Sequence, residues 1–127
     1  WITAEMIKAY EGLHRGGWAH SIEVWQSGEL KGGLYGLAIG KAFFGESMFS
    51  LMPNASKLAL LYLAAQLKAG HLELLDCQVV SSHLLSLGAR IVPRSEFLHS
   101  LKTACNPVAP FVHDLESPIA WSKLLGD

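Results

Sequence analysis

The hydrophobic residues of this chain change their spacing several times, and each change predicts a boundary between elements. Thr3 precedes apolar residues at helical spacing, so we expect it to cap a first helix that ends at Gly16-Gly17. Side chains of two different characters alternate over residues 18–25, and a Ser-Gly-Glu turn separates them from an apolar run over 30–39. This pattern predicts a β-hairpin, in which the glycines of the second strand mark bends, bulges or close approaches.

A third strand is predicted over residues 42–50, because its side chains again alternate. Regular alternation would place two sets of residues on opposite faces: Phe44, Glu46 and Met48 on one, and Phe43, Gly45, Ser47 and Phe49 on the other. Pro53-Asn54 then opens a helix that runs to about residue 69. This helix is apolar nearly all round, so we expect it to be buried.

The pattern of the remaining residues predicts shorter strands and helices that alternate along the chain. Strands are expected over 73–79 and 89–92, a short helix over 81–87, and an amphipathic helix over 94–105. Phe97, Leu98 and Leu101 would face inward on that last helix. Residues 106–127 contain three prolines and little periodicity, which predicts an irregular C-terminal tail. Together these elements predict an α/β (α+β) fold with a mixed sheet flanked by helices.

Composition narrows the class of protein. The chain has 127 residues, of which 50% are hydrophobic and 17% charged, which fits one compact domain over 1–127. The net charge of −1 provides no broad positive field, so any contact with RNA would be local. The longest apolar stretch is too short to span a bilayer, so we expect no membrane association. The two cysteines and six histidines lack disulfide-framework or metal-ligand spacing, which favours a cytoplasmic protein without a metal.

Several short blocks occur in the order in which they appear in one known family, over roughly residues 1–101. They are Trp1-Ile2-Thr3, His20-Ser21-Ile22-Glu23-Val24-Trp25, Gly32-Gly33-Leu34-Tyr35-Gly36, Phe43-Phe44-Gly45-Glu46-Ser47-Met48-Phe49-Ser50, Asn54-Ala55-Ser56-Lys57, Asp76-Cys77-Gln78 and Leu87-Gly88-Ala89-Arg90. With these blocks the chain resembles the leucyl/phenylalanyl-tRNA-protein transferase family. It departs from the family pattern at Leu51, where a basic residue is typical, and at Ser81-Ser82, where Asn-Pro is typical.

The resemblance implies an acetyltransferase-like (GNAT-like) catalytic domain that follows a smaller N-terminal domain. Since the chain begins at Trp1, we expect that N-terminal domain to be missing. The implied activity is transfer of Leu or Phe, with Met as a further candidate, from aminoacyl-tRNA to proteins that begin with Lys or Arg, which marks them for degradation. We expect no cofactor and a monomer, and the resemblance implies two partners: the aminoacylated 3′ end of tRNA and the N-terminus of the acceptor protein.

Asp76 and Gln78 are the candidate catalytic residues. They stand two apart on a predicted strand, so both side chains would share one face. A carboxylate beside an amide can orient an attacking amine and assist the transfer of its proton. The alternative is that both side chains satisfy backbone groups at a strand end. Cys77 would point to the other face as a core thiol.

Glu46 and Trp1 are candidate substrate-binding residues. Glu46 lies between apolar neighbours and could receive an ammonium group, either from the carried amino acid or from the acceptor side chain. An internal salt bridge with Lys41 or Lys57 is the alternative. Trp1 could stack on the terminal adenine, a role that the resemblance favours over anchoring the first helix.

An apolar pocket for Leu or Phe would have its wall among the strand residues Leu34, Leu37, Phe43, Phe44 and Met48. Ordinary core packing is the alternative for each of them. Ser47 belongs to the same block and is included among the substrate-binding residues. We expect Glu46, Asp76 and Gln78 to border this pocket together. A local basic rim for tRNA phosphates could come from Lys31, Lys41, Lys57, Arg90 and Arg94, unless these are scattered surface charges.

Two other functions fit the same fold class. An acyl-CoA-dependent N-acetyltransferase would need a glycine-containing turn to hold the pyrophosphate, but residues 50–56 contain no glycine. A non-catalytic module could use the same pocket to hold an aminoacyl end or a hydrophobic N-terminus. A transfer assay distinguishes this module from an enzyme.

Overall fold

The computed structural model describes residues 3–78, 82–86, 88–106 and 108–110. Its elements follow in the order α1 (Ala4–Arg15), β1 (Ala19–Gln26), β2 (Glu29–Ile39), β3 (Ala42–Ser50), α2 (Ala55–Lys68), β4 (Leu74–Asp76), α3 (Ser82–Ser86) and α4 (Arg94–Ala104). The strands form a four-stranded sheet in the order β1-β2-β3-β4. Strands β1 to β3 are antiparallel, and β4 returns parallel to β3 after the α2 crossover. The predicted α/β class with a mixed sheet is confirmed.

The first helix and the hairpin form where the sequence predicts them. The Thr3 hydroxyl accepts a hydrogen bond from the Met6 N–H at 3.1 Å, and this bond caps α1. Ser27 and Gly28 both have positive φ, of 52° and 78°, so they form the tight two-residue turn that suits a twisted hairpin. The predicted glycine-associated bulges are also present, between Val24 and Trp25 and at Gly36.

The two faces of the sheet differ, and the difference decides where a site can lie. One face packs against α2; we call it the core face, and its buried residues include Ile22, Leu34, Ala38 and Phe43. The opposite face carries two cross-strand pairs, Tyr35 with Ser47 and Leu37 with Phe44. We call it the site face. Helix α1 lies over its β1 side, where Tyr10 contacts Tyr35.

Helix α2 is buried along one side only. Ala55, Leu58, Ala59, Tyr62 and Leu63 are buried against the core face, whereas Ala64 is exposed. The expectation of a buried helix is therefore confirmed for the side that faces the sheet, but not around the whole helix. The sheet covers one side of α2, and the apolar side chains of the helix extend beyond the covered side.

Three expectations for the second half of the chain are also wrong. Residues 89–92 form no strand: Ile91 is 69% exposed, and Pro93 has no N–H to offer a strand partner. Strand β4 is shorter than predicted and ends at Asp76. On α4, Phe97 and Leu101 are half-buried, but Leu98 is 46% exposed. This helix is buried at its C-terminal end, at Ala104, whose carbonyl accepts the Lys41 N–H at 2.7 Å.

The tail is described only at its start. Ala109 accepts the Gly40 N–H at 2.7 Å, and Pro110 forms an isolated bridge with Ile39, so this part of the tail lies against the end of β2. Residues 111–127, including Trp121, lie outside the described residues. None of the helices in the described part of the chain combines the length and apolar character that a membrane crossing requires.

Candidate active site

A β-bulge sets the position of Glu46. Tyr35 pairs with Ser47 and Gly36 pairs with Gly45, so Glu46 is an extra residue of β3 without a partner on β2. A bulge of this kind redirects side chains and is common beside active sites. It also reverses the alternation of β3: Ser47 joins Phe44 on the site face, while Met48 lies opposite Leu34 on the core face. The predicted grouping of Phe44, Glu46 and Met48 on one face is therefore wrong.

The bulge depends on Gly36. A Cβ at this position would overlap the carbonyl oxygen of Phe44 and would lie 2.8 Å from Cε1 of Phe43. The strands can therefore come this close only because residue 36 has no side chain. Gly36 thus determines where the chain places the Glu46 carboxylate.

Asp76 and Gln78 lie near each other, but not through strand alternation as predicted. Strand β4 ends at Asp76, and Gln78 adopts a left-handed backbone conformation with φ of 63°. An Asp76 carboxylate oxygen, Oδ1, accepts the backbone N–H of Gln78 at 2.9 Å. This bond closes a local turn. Asp76 therefore satisfies a backbone group at a strand end, which is the alternative role considered for it.

Gln78 connects this turn to Glu46. Its side-chain amide, Nε2, donates a hydrogen bond to Oε1 of Glu46 at 3.2 Å, across 32 positions of sequence. Asp76 lies beside Phe44 in the parallel register of β3 and β4, which places it on the site face. The structure therefore brings Glu46, Gln78 and Asp76 together in one hydrogen-bonded group, the Glu46–Gln78–Asp76 network.

The surroundings of Glu46 differ from the predicted apolar setting. Glu46 is exposed. Within the described residues it forms no ion pair with Lys41 or Lys57, and Lys41 lies 3.8 Å from Glu73 instead. A solvent-exposed carboxylate that pairs with neither lysine is available to an ammonium group from outside the chain.

Tyr10 of α1 lies in the electrostatic field of the Glu46 carboxylate, and no sequence pattern predicts this. Burial raises the pKa of the Tyr10 hydroxyl, and the negative charge of Glu46 and a hydrogen bond to it raise that pKa further. Its ring packs edge-on against Tyr35, with centroids 5.2 Å apart. Tyr10 occupies an ordinary apolar position of an amphipathic helix, so only the three-dimensional arrangement reveals the contact.

A groove of about 670 Å³ lies between α1 and the β1–β2 hairpin. Its lining includes Tyr10 and Tyr35, together with Ile7, His14 and Ser21. As far as the described residues go, Glu46, Gln78 and Asp76 do not line it, so this groove is not the shared cavity that we expected. Tyr10 lines the groove, and the Glu46 carboxylate is near enough for its charge to raise the pKa of the Tyr10 hydroxyl.

The predicted pocket wall is divided between the two faces of the sheet. Leu34 and Phe43 are buried in the core, at 5% and 0% exposure, on the face away from the network. Met48 lies across from Leu34 and is exposed. Leu37 and Phe44 are half-buried cross-strand partners on the site face. Trp1 lies outside the described residues.

Cys77 is a free, half-buried thiol between the two predicted catalytic residues. Burial raises its pKa, and the neighbouring Asp76 carboxylate raises it further. A raised pKa disfavours the reactive thiolate at neutral pH, so Cys77 is unsuited to nucleophilic catalysis.

Three of the five basic residues of the predicted rim have acidic partners. Lys31 pairs with Glu29 at 2.7 Å, Lys41 with Glu73, and Arg90 with Glu96 at 3.5 Å. These pairs favour the interpretation of scattered surface charge over a phosphate-binding rim. Among the residues that the structure describes, no group of three or more His, Cys, Asp or Glu side chains could hold a metal ion.

Comparisons with known proteins identify the family. The model of the family described as leucyl/phenylalanyl-tRNA protein transferase matches residues 1–102. Among similar curated proteins, the leucyl/phenylalanyl-tRNA–protein transferase of Nitrosomonas eutropha is 61% identical over 97 residues, which cover 76% of this chain and 42% of the relative.

Two further relatives with the same name give a similar picture. The protein of Nitrosospira multiformis is 55% identical, with 84% of this chain and 46% of the relative covered. The protein of Hahella chejuensis is 60% identical, with 80% and 44% covered. The chain thus spans somewhat less than half the length of these relatives. On the family match and these identities, the chain belongs to the leucyl/phenylalanyl-tRNA protein transferase family.

Proposed function

We propose that this chain is the catalytic part of an aminoacyltransferase that moves Leu or Phe from aminoacyl-tRNA to the N-terminal α-amino group of proteins beginning with Lys or Arg. Membership of the family supports the reaction class. The observation that carries the proposal is the Glu46–Gln78–Asp76 network, which joins β3 to the end of β4 through hydrogen bonds of 2.9 and 3.2 Å. The network combines an exposed carboxylate, an amide and a second carboxylate on one side of the sheet.

The reaction depends more on positioning of the attacking amine than on a strong base. The amine nitrogen attacks the ester carbonyl, a C–N bond forms, and the C–O bond to the ribose breaks. The amine loses one proton, and the ribose oxygen gains one. A free α-amino group has a pKa of about 8, so a useful fraction is already neutral near pH 7. Orientation by Asp76 and Gln78 is therefore their main contribution, with assistance to the proton transfer as the second.

Glu46 takes the role of ammonium receptor in this proposal. Its exposure and its lack of an ion pair with Lys41 or Lys57 within the described residues support this role. The ammonium belongs either to the carried amino acid or to the cationic side chain of the acceptor. Both assignments place a substrate cation beside the amide of Gln78, at the point where the amine has to be oriented.

The wall for the transferred side chain is formed in this proposal by residues of the site face. Leu37 and Phe44 are half-buried, Phe44 pairs with both Leu37 and Asp76 in the sheet register, and Ser47 lies two pairs further along β3. Leu34 and Phe43 support this wall from the core behind it. Trp1 stacks on the terminal adenine of the tRNA, as the resemblance implies.

The proposed domain assignment is one GNAT-like domain over 1–127 with an irregular tail from 106, preceded in the family by a smaller N-terminal domain. The antiparallel strands β1 to β3, the α2 crossover and the parallel strand β4 support the GNAT-like assignment. The glycine-free junction between β3 and α2 argues against acyl-CoA as the donor. We further propose a monomeric enzyme of the cytoplasm whose products are marked for degradation, and which needs no cofactor.

The direct test is transfer of labelled Leu from charged tRNA to an acceptor peptide that begins with Arg, using the intact protein. Asp76→Asn removes the carboxylate but keeps its shape, and we expect it to lower the transfer rate about tenfold to a hundredfold. Glu73→Gln is the matched control, because Glu73 directly precedes β4, is exposed and pairs with Lys41. Normal transfer by Asp76→Asn would contradict the proposal. Binding of the aminoacyl end without any transfer would favour the non-catalytic module.

A further inference from the structure

Glu23, on β1, has a carboxylate that two neutral side chains hold in place. The Ser21 hydroxyl donates a hydrogen bond to Oε2 at 2.9 Å, and the Trp25 indole N–H donates one to Oε1 at 3.0 Å. Neither donor carries a charge, so the carboxylate keeps its negative charge while both of its oxygens are oriented. Glu23 is exposed and forms no ion pair within the described part of the chain. An exposed and oriented anion of this kind suits a cationic group from another molecule.

The groove between α1 and the hairpin has basic residues at one end and Glu23 at the other. The basic lining residues, His14, Arg15 and His20, lie where α1 joins β1, and both histidine rings bind backbone carbonyl oxygens there, at 2.7 and 3.0 Å. Glu23 also lines the groove, three residues beyond His20 on β1, which is roughly 10 Å away at the rise of a strand. The Glu23 end of the groove is therefore the end that favours a cation.

The register of the sheet relates Glu23 to the bulge at Glu46. Ser21, which donates to Glu23, pairs with Tyr35 of β2. Tyr35 in turn pairs with Ser47 of β3, the residue that follows Glu46. Two strand spacings separate β1 from β3, which is about 10 Å. Two exposed carboxylates therefore lie on either side of Tyr35, whose side chain lines the groove.

This separation fits the N-terminal residue of an acceptor protein. In an extended Lys or Arg, roughly 7 Å separate the α-amino nitrogen from the charged end of the side chain. A charged hydrogen bond to a carboxylate adds about 2.8 Å, so the residue and its ion pair together span roughly 10 Å. An α-amino group oriented beside Gln78 can therefore present its side-chain cation to Glu23. The aliphatic part of that side chain then lies along Tyr35, as long cationic side chains do on apolar surfaces.

We propose that Glu23 is a specificity-determining residue, whose carboxylate binds the cationic side chain of the acceptor's N-terminal Lys or Arg. It rests on the function proposed above and deepens it, because the two substrate cations are assigned to separate carboxylates. Glu23 binds the acceptor side chain, and Glu46 binds the ammonium of the carried amino acid. A separation of about 10 Å also limits repulsion between the two cations, since salt screens charges at that distance.

The test compares acceptor peptides that begin with Arg or with citrulline, the neutral isostere of Arg, in the wild type and in Glu23→Gln of the intact protein. We expect the wild type to favour the Arg peptide about tenfold to a hundredfold in kcat/KM, because only Arg forms the ion pair. Glu23→Gln reduces this preference to about threefold or less. Its kcat/KM for the citrulline peptide and its KM for aminoacyl-tRNA stay unchanged, which a loss of folded structure would not allow.

Glu29→Gln is the matched control, because Glu29 lies at the turn of the same hairpin, is exposed and pairs with Lys31 at 2.7 Å. We expect it to keep the full preference for the Arg peptide. A preference that survives Glu23→Gln, or that falls equally in Glu29→Gln, would overturn the role of Glu23.

A wild type without any transfer would instead overturn the proposed function. Calorimetric binding of the two peptides then decides about Glu23 by itself. Tighter binding of the Arg peptide that is lost in Glu23→Gln supports the cation site. Equal binding of both peptides to the wild type, or a preference unchanged in Glu23→Gln, overturns it.

Discussion

At the residue scale, the backbone of Gln78 shows how the site is held. Its left-handed conformation, with φ of 63°, is unfavourable for a residue with a side chain. The hydrogen bond from the Gln78 N–H to Asp76 stabilises this turn, and the turn directs the amide toward Glu46. Asp76 therefore shapes the site as well as supplying a carboxylate to it.

Replacing Gln78 by glycine separates the two contributions. Glycine tolerates the positive φ, so we expect Gln78→Gly to leave the free energy of unfolding unchanged or to raise it by up to about 1 kcal/mol. The amide that holds Glu46 is lost, so transfer falls at least about tenfold. Thermal unfolding and single-turnover transfer measure these effects. A parallel loss of stability and activity would show that Gln78 is a structural residue.

Cys77 reports on the charge of Asp76. The Asp76 carboxylate contributes to the raised pKa of the Cys77 thiol, so the neutral Asp76→Asn lowers that pKa part of the way. At a fixed pH near 8 the thiolate fraction then increases, and alkylation by iodoacetamide becomes faster. Cys105 is the internal control, because burial alone raises its pKa. Unchanged alkylation of Cys77, or equal acceleration of both thiols, would contradict the described contact.

At the scale of elements, the bulge in β3 is the feature that sequence patterns could not show. The bounds of β3 agree with the prediction from alternation. The faces do not, since Glu46 is an extra residue and the alternation reverses after it. The bulge arises from the pairing of β3 with β2 at Gly36. The alternation of side chains within one strand does not reveal how that strand pairs with its neighbour.

Gly36 and Gly45, which pair with each other beside the bulge, give a matched test of it. Gly36→Ala would force a Cβ into the Phe44 carbonyl, so we expect it to destabilise the fold by at least about 2 kcal/mol. Gly45 is its cross-strand partner, and a Cβ there would have its nearest neighbour at an ordinary 3.5 Å. Gly45→Ala should therefore cost less than about 1 kcal/mol. Equal costs in chemical denaturation would mean that the strands approach differently at the bulge.

At the scale of the whole molecule, the layers could be predicted and the site only in outline. The order of elements from α1 to β4 and the hairpin follow from periodicity and turn residues, whereas the strand predicted over 89–92 does not form. Asp76, Gln78 and Glu46 were identified from the family resemblance, and the structure joins them by hydrogen bonds. The ring contact of Tyr10 with Tyr35 and the separation of Leu34 from Phe44 depend on which elements share a face, which local sequence does not reveal.

The proposal predicts that the substrate binds on one face of the sheet and not on the other. The proposed chemistry lies on the site face, where Phe44 and Asp76 are register partners, and α2 covers the core face. Puromycin, which carries an amino acid on an adenosine-like nucleoside, reports the position of both the ammonium and the aminoacyl side chain.

A crystal structure of the intact protein with bound puromycin is therefore the most direct measurement. We predict that the puromycin ammonium or its aminoacyl side chain lies within contact distance of Glu46, with Gln78 and Asp76 beside the carbonyl group. Puromycin bound instead on the face that carries Leu34 and Phe43, or on the site face away from Glu46, would contradict the account.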